Sequence, residues 1–318
     1  MPSQPFRIAL ACDVDPEPPI GPGPRIKETD GDWRGVTNLL PRLLDHLDRL
    51  ESRTGRHLPI GWFFRADTQM AELHGDAAWA LKEVEPLVDR LKARGDEIAW
   101  HPHFWRWSEE RRTWHQEWSD EDWMVECLRT GFLAFREVAG HIPSARMGWG
   151  CHTSATMSAL DALGIRRDLS AVPGMYCSGL DRGGAVMNVY DWRGTPDQPY
   201  HPSRDDYRVP GERALRLLEI PASAGPDPFP HSIGSALARR TWPPPRFHFT
   251  PVKDPRKTQP LVTGRARRGK THALLYFHPY DLVADRIDMF IENARRWTTM
   301  DEVAGRAIEL VRPDGIAF

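Results

Sequence analysis

The sequence predicts an α/β fold in which parallel strands alternate with helices. The order of elements along the chain leads to this prediction, and the length and composition set its bounds. Short apolar runs alternate with segments of helical periodicity, and polar side chains follow the apolar runs. The length of 318 residues favours one core with long insertions, with two small domains as the alternative. Hydrophobic residues make up 40% of the chain and charged residues 27%, a composition that argues against wholesale disorder.

Apolar runs along the chain predict seven strands. They cover residues 6–12, 59–65, 97–101, 144–148, 166–172, 215–221 and 272–278. Helical spacing predicts helices over 39–50, 77–93, 119–139, 153–163, 284–297 and 300–311. Pro41 fits only the first turn of its helix. Ser119 is expected to cap the third helix, with Asp122 in the capping-box position, and Gly95 and Gly164 are typical helix ends.

Two stretches interrupt this alternation. Residues 173–212 are rich in Gly, Pro and Asp, and residues 222–270 contain many prolines. Within 239–270, ten Lys and Arg residues accompany a single acid, Asp254. We expect both stretches to be long loops inserted in one domain that spans residues 1–318. The basic part is either a solvated loop or a site for a phosphate-linked substrate.

Charge and composition argue against several classes of binding partner and site. The net charge of −2 gives no general attraction to nucleic acid or anionic membranes, and no 18-residue apolar stretch predicts a membrane span. The four cysteines form no CxxC pair, which argues against a structural zinc ribbon. The first residues lack the pattern of a signal peptide. We therefore expect a cytoplasmic protein with neither a nucleic-acid partner nor a transmembrane segment.

Polar side chains gather where the predicted strands end. The carboxyl ends of parallel strands meet at one rim, which is where active sites form in such folds. Carboxylates, imidazoles and arginines at one rim are suited to metal-assisted hydrolysis. The residues at these ends are Asp13, Asp15, Arg65, Asp67, His101, His103, Arg146, Trp149, Asp168, His278, Tyr280 and Asp281.

Several of these residues lie in motifs that resemble one family. Residues 95–103 (GDEIAWHPH) resemble the second motif, G-H-E-I-x-x-H, of the NodB-homology polysaccharide deacetylases, carbohydrate esterase family 4. The other motifs follow in the family order: 9–15 (ALACDVD), 61–65 (GWFFR), 145–150 (ARMGWG), 163–170 (LGIRRDLS) and 275–279 (LYFHP). The resemblance implies a distorted (β/α)7 barrel, which agrees with the seven predicted strands.

The resemblance also implies roles for individual residues. It suggests Asp13 as the general base and Arg146 as the residue that positions this base. It suggests Asp15 and His101 as metal ligands and His278 as the general acid. The implied cofactor is a divalent metal, with zinc expected and cobalt, nickel or manganese as alternatives.

Two departures from the family pattern leave alternatives open. Val14 separates the two aspartates that are adjacent in the family, so their roles could be exchanged. Trp105 occupies the position of the family's second histidine ligand. His103 is the nearest substitute, and His115 or His152 could be recruited instead.

The resulting functional prediction is a metal-dependent hydrolase that removes an acyl group, acetyl in the first instance, from an N-acylated sugar or saccharide. The alternatives are a hydrolase of another non-peptide C–N bond and a catalytically silent carbohydrate-binding relative. Six of the 13 tryptophans lie between residues 100 and 123, where they either line a saccharide cleft or close a loop over the site. The expected substrate-binding residues are Arg65, Asp67, Trp105, Trp149, Asp168 and Tyr280.

Overall fold

The computed structural model describes residues 4–16, 31–180, 186–226, 246–283 and 285–316. The start of the basic segment, residues 239–245, lies outside these described residues, as does the first residue of the helix predicted at 284–297. Among the described helices, none combines the length and apolar character needed to cross a bilayer.

The described elements alternate as the sequence predicts. The α-helices are α1 (Leu40–Thr54), α2 (Thr68–His74), α3 (Trp79–Glu83), α4 (Glu85–Ala93), α5 (Glu121–Ala139), α6 (Ser154–Leu163), α7 (Pro255–Arg267) and α8 (Arg286–Thr299). The strands are β1 (Phe6–Val14), β2 (Ile60–Phe64), β3 (Glu97–Trp100), β4 (Trp105–Ser108), β5 (Thr113–Gln116), β6 (Ser144–Ala145), β7 (Arg167–Asp168), β8 (Tyr176–Leu180), β9 (Val186–Asp191), β10 (Leu218–Glu219), β11 (Ala224–Pro226), β12 (Arg246–His248), β13 (His272–Phe277), β14 (Glu302–Val303) and β15 (Arg306–Leu310). Single turns of other helix types lie at Gly35–Leu39, Gly148–Gly150, Pro279–Leu282 and Pro313–Gly315.

Within the described residues, seven parallel strands form the barrel, in the order β10–β7–β6–β3–β2–β1–β13. Each corresponds to one of the seven predicted strands. The two end strands are joined through Ser223, whose N–H donates to the Leu274 carbonyl at 2.9 Å and whose Oγ accepts from the Leu274 N–H at 3.0 Å. The predicted distorted (β/α)7 barrel is confirmed.

Alternation along β1 explains where the polar site forms. Ile8 and Leu10 belong to the large buried cluster under the helices, whereas Ala9 and Ala11 belong to a separate buried cluster with Phe63 and Leu274. Because successive side chains of a strand face opposite sides, the second cluster fills the barrel interior. Asp13 continues this inward series directly above Ala11, at the rim.

The helix predicted over residues 300–311 is wrong, because this segment is the hairpin of β14 and β15. Ala304 and Gly305 have φ values of 52° and 74°, and two successive positive φ angles form a tight hairpin turn. β15 then pairs in parallel with the start of β1 and buries Ile308. The pairing with β1 determines the secondary structure of this segment. A local periodicity cannot reveal a pairing between residues that are far apart in the chain.

The predicted insertions contain regular structure. The first holds the antiparallel pair β8–β9, and the second holds α7, which the sequence analysis missed. Asp254 caps α7 by accepting from the Arg256 N–H at 2.8 Å, and Pro255 follows at the first helical position. This Asp-Pro pair was an available start signal. The cap of α5 is Asp120, one residue later than predicted.

Candidate metal and catalytic site

Three predicted metal ligands converge above the barrel interior. Asp15 Oδ2 lies 3.2 Å from His101 Nε2 and 3.1 Å from His103 Nε2. The two Nε2 atoms are 3.1 Å apart. These side chains can therefore direct one carboxylate oxygen and two imidazole nitrogens to a common point, and the ligating atoms all lie within 4.8 Å of one another.

A hydrogen bond fixes the ring orientation of His101. Its Nδ1 lies 2.6 Å from the carbonyl oxygen of Arg146. A carbonyl can only accept, so Nδ1 carries a proton and Nε2 is the ring nitrogen that faces Asp15. This second contact on the remote ring nitrogen is the usual way in which a protein orients a histidine ligand.

The charges of the site favour an anionic Asp15. Burial alone would disfavour the carboxylate, but His103 and His101 outweigh it and hold the pKa of Asp15 well below its usual range. Burial lowers the pKa of His103 despite the opposing charge of Asp15. Burial also acts to lower the pKa of His101. The charges of Asp15 and Asp13 outweigh this effect, so the pKa of His101 is raised. Asp15 and Asp13 thus stabilise a proton on His101, and a divalent cation would take the place of that proton.

The donor set fits a divalent metal. One carboxylate oxygen and two imidazole nitrogens are ligands that zinc accepts. Buried Asp15 Oδ1 and His103 Nδ1 have no hydrogen-bond partner among the described residues. Three lone-pair atoms at about hydrogen-bond distance from one another also require a cation or shared protons between them. The residues present therefore suit the cofactor implied by the sequence.

Asp13 has different partners from Asp15. Arg146 Nε donates to Asp13 Oδ2 at 2.8 Å, and His278 Nε2 lies 3.6 Å from the same oxygen. Burial disfavours the charged carboxyl, but Arg146, His101 and His278 together lower the pKa of Asp13. The two aspartates are thus separated by environment, one facing the histidine pair and the other facing Arg146 and His278.

Asp281 orients His278. The Asp281 carboxylate accepts from the backbone N–H of His278 at 2.8 Å and lies 3.3 Å from His278 Nδ1. The ring of Tyr280 stacks on the His278 ring, with centroids 4.7 Å apart. His278 therefore turns its Nε2 towards Asp13 while its other nitrogen is held by a carboxylate.

Arg65 and Asp67, predicted to bind substrate, are only 3% and 1% exposed. Arg65 Nη2 donates to Asp67 Oδ2 at 2.8 Å, and its Nε lies 3.7 Å from Asp15 Oδ1. Asp67 also accepts from the backbone N–H of His103 at 3.3 Å. These contacts favour a role in positioning the ligands, and direct substrate contact by this pair stays a prediction.

Asp168 is likewise fully buried. Its Oδ2 lies 3.0 Å from His152 Nε2, and its Oδ1 accepts from Ser170 Oγ at 2.6 Å. His152 therefore contacts Asp168 and is not among the three converging ligands. His115 lies on β5, 3.9 Å from Glu117. Of the candidates for the second histidine ligand, the geometry favours His103.

Trp105 and Trp149 lie beside the converging ligands. The Trp105 ring is nearly parallel to that of His103, with centroids 6.2 Å apart and an interplanar angle of 11°. Trp149 meets Trp105 edge to face at 6.4 Å and is 41% exposed. Trp105, at the sequence position of the family's second histidine, therefore packs alongside His103. Trp149 offers an exposed aromatic surface next to the site.

Two residues of the site were missed by the sequence analysis. A Cβ at Gly148 would lie 2.3 Å from His103 Cγ, so only glycine leaves room for this ring. Tyr276 lies beneath the Arg146 guanidinium, with Cζ 3.8 Å from the ring centroid. Gly148 lies within the ARMGWG motif and Tyr276 within LYFHP, but neither motif predicts which side chain would be its neighbour.

No protein-family profile and no curated protein matches the chain. Among solved structures, it is similar to a protein from Parabacteroides distasonis classed provisionally as a glycoside hydrolase/deacetylase, with a TM-score of 0.57, 12% identity, and coverage of 97% of this chain and 70% of that one. A family 4 carbohydrate esterase from Streptomyces lividans matches with a TM-score of 0.37, 10% identity, and coverage of 96% and 97%. A 4-alpha-glucanotransferase from Thermococcus litoralis matches with a TM-score of 0.49, 10% identity, and coverage of 96% and 39%.

At these identities, similarity establishes the fold. The Parabacteroides distasonis protein aligns over almost the whole of this chain. The motif resemblance and the structural similarity therefore agree on architecture, and the chain has the fold of a distorted (β/α)7 barrel.

Proposed function

We propose that this protein is a metal-dependent hydrolase that removes an acyl group, acetyl in the simplest case, from an N-acylated sugar. The observation that carries the proposal is the convergence of Asp15, His101 and His103 beside the Asp13–Arg146 pair. The fold shared with a protein of the glycoside hydrolase/deacetylase class supports it. Zinc is the first candidate for the cation, and cobalt, nickel or manganese are alternatives.

Asp15, His101 and His103 would hold the cation. When bound, such a cation lowers the pKa of a coordinated water and polarises an acyl carbonyl. Arg65 restrains Asp15 from one side, and the Arg146 carbonyl orients His101 from the other. These contacts hold the ligands in place before a metal arrives, which reduces the reorganisation that binding requires.

The remaining residues divide the proton transfers. Asp13 is kept ionised by Arg146 and accepts a proton from the water. The oxygen of this water attacks the acyl carbon. The C–N bond then breaks, and His278 donates a proton to the leaving nitrogen, giving a free amine and a carboxylate. Asp281 holds His278 with Nε2 towards the site during this step.

An N-acylated sugar is the substrate class that fits the aromatic side of the site. The apolar face of a sugar ring stacks on exposed indoles, and Trp149 is 41% exposed beside Trp105. A phosphate-linked sugar would require the basic segment 239–270, part of which lies outside the described residues. The single-domain organisation, the phosphate link and the cytoplasmic location remain predictions.

The test combines metal analysis with product release. Purified protein is expected to contain about one equivalent of metal, which His101→Ala and His103→Ala lose and the control His115→Ala retains. Release of acetate is then compared between N-acetyl sugars and small amides. Metal-free protein that gains no activity with Zn²⁺ or Co²⁺ would contradict the proposal and favour the silent carbohydrate-binding alternative. Activity confined to small amides would favour the hydrolase of another C–N bond.

A further inference from the structure

Arg146 is a buried cation that is restrained within its own plane by hydrogen bonds. Its Nε donates to Asp13 at 2.8 Å, and its Nη1 donates to the carbonyl oxygen of Leu169. Hydrogen bonds of this kind fix a guanidinium in the plane of the group, but they resist tilting out of that plane less well. The side chain that covers a guanidinium face therefore influences how well the group stays aligned.

Tyr276 covers one face of this guanidinium. Arg146 Cζ lies 3.8 Å from the ring centroid, which is stacking distance, and Tyr276 is only 9% exposed. A cation over an aromatic face is attracted most strongly where water is excluded. Burial raises the pKa of Tyr276, so the phenol stays neutral and offers its ring without adding a charge to the site.

The barrel register brings Tyr276 to this place. In the parallel pairing of β13 with β1, Tyr276 is opposite Ala11, whose small side chain precedes Asp13 on the inward face. His278 lies two residues after Tyr276, just past the end of β13, and its ring meets the Tyr276 ring at 6.0 Å and 77°. Tyr276 thus contacts both the arginine that holds the proposed base and the proposed acid.

We propose that the ring of Tyr276 positions Arg146, and through it Asp13, for the hydrolysis. This inference rests on the proposed function and adds a residue to its machinery. Tyr276 acts through Arg146, so it is a positioning residue. The ring face carries this role, so a phenylalanine should replace Tyr276 and an aliphatic side chain should not.

The first experiment measures kinetics. Tyr276→Leu is expected to lower kcat about 30-fold, the equivalent of losing a desolvated cation–π contact, with KM changed by less than about twofold. Tyr276→Phe is expected to stay within about fivefold of the wild-type kcat. The matched control is Phe277→Leu, because Phe277 points to the outer core, where it meets Trp62 and Phe290. This control tests for general loss of stability and should leave kcat of the folded protein unchanged.

The second experiment needs no activity. NMR of ¹⁵N-labelled protein follows the Arg146 Nε–H, which should exchange slowly in the wild type and in Tyr276→Phe, and rapidly in Tyr276→Leu. If all three exchange alike, or if Phe is as damaging as Leu in kinetics, the ring-face proposal is overturned. An inactive, metal-free wild type would contradict the proposed function instead, and the Arg146 signal would still decide this inference.

Discussion

Gly148 and the ring of His103 are in direct contact, and this contact exists only because residue 148 has no side chain. A Cβ at this position would lie 2.3 Å from Cγ and 2.4 Å from Cδ2 of His103, well inside van der Waals distance. The Gly148 N–H also donates to the Pro102 carbonyl at 2.8 Å, which fixes the two segments against each other. The glycine therefore sets the position of one proposed metal ligand.

We expect Gly148→Ala to displace His103 and to weaken metal binding about 10- to 100-fold, the range typical for disturbed support of a ligand. The φ angle of Gly148 is not among the positive values, so the backbone itself accepts alanine and the effect is steric. Chelator competition with Zn²⁺ measures the affinity. Gly264→Ala in α7 is the control, because its Cβ would meet only the flexible end of Arg268. Equal affinities for the two variants would contradict the expectation.

Asp281→Asn should lower kcat about 10- to 100-fold with little change in KM, because an amide cannot hold His278 as the carboxylate does. The amide oxygen can still accept from the His278 N–H, a contact of 2.8 Å in the wild type, so the short turn after β13 is retained. Steady-state kinetics of acetate release measure the effect. Asp285→Asn, a matched change at the residue before α8, should leave kcat unaltered. A kcat equal to that of wild type in Asp281→Asn would show that His278 needs no carboxylate partner.

Trp149→Ala should raise KM for an N-acetylated oligosaccharide about tenfold while kcat falls less, because stacking on an indole contributes to binding more than to bond cleavage. The control is Trp118→Ala, which removes a tryptophan that is 47% exposed and lies before α5. A KM unchanged by Trp149→Ala would show that the sugar does not stack on this indole.

Glu97 should make folding stability depend on pH. It is 4% exposed at the opposite end of β3 from His101, and burial, reinforced by Asp314, raises its pKa to about 7. A carboxyl whose folded pKa is raised contributes stability below its unfolded pKa of 4.5 and loses it as the pH rises through 7. The loss amounts to about 3 kcal/mol by pH 8. Urea unfolding between pH 5 and pH 8 should show this decline in the free energy of unfolding of wild type and a smaller decline in Glu97→Gln. The same decline in both proteins would refute this prediction.

The strands and the rim residues could be predicted because their signals are local. Apolar runs such as 6–12 and 272–278 are buried on both faces of a parallel sheet, so they are recognisable without knowing their neighbours. Asp13, His101 and His278 follow such runs, and parallel strands bring their ends together whatever the detailed register. The hairpin of β14 and β15 escaped prediction because its pairing with β1 joins positions about 300 residues apart.

The sequence by itself determined the strands, the rim at which they end, and the grouping of carboxylates with histidines at that rim, because burial patterns and strand ends are local features. The closed barrel was implied by the resemblance of its motifs to a known family. Only the tertiary structure decided which of these side chains meet. Packing, which no local pattern encodes, brought His103 next to His101, placed Trp105 behind it, and put Tyr276 beneath Arg146. It also buried Arg65 and Asp168, because Asp67 and Gln69 accept hydrogen bonds from the arginine and His152 and Ser170 contact the aspartate.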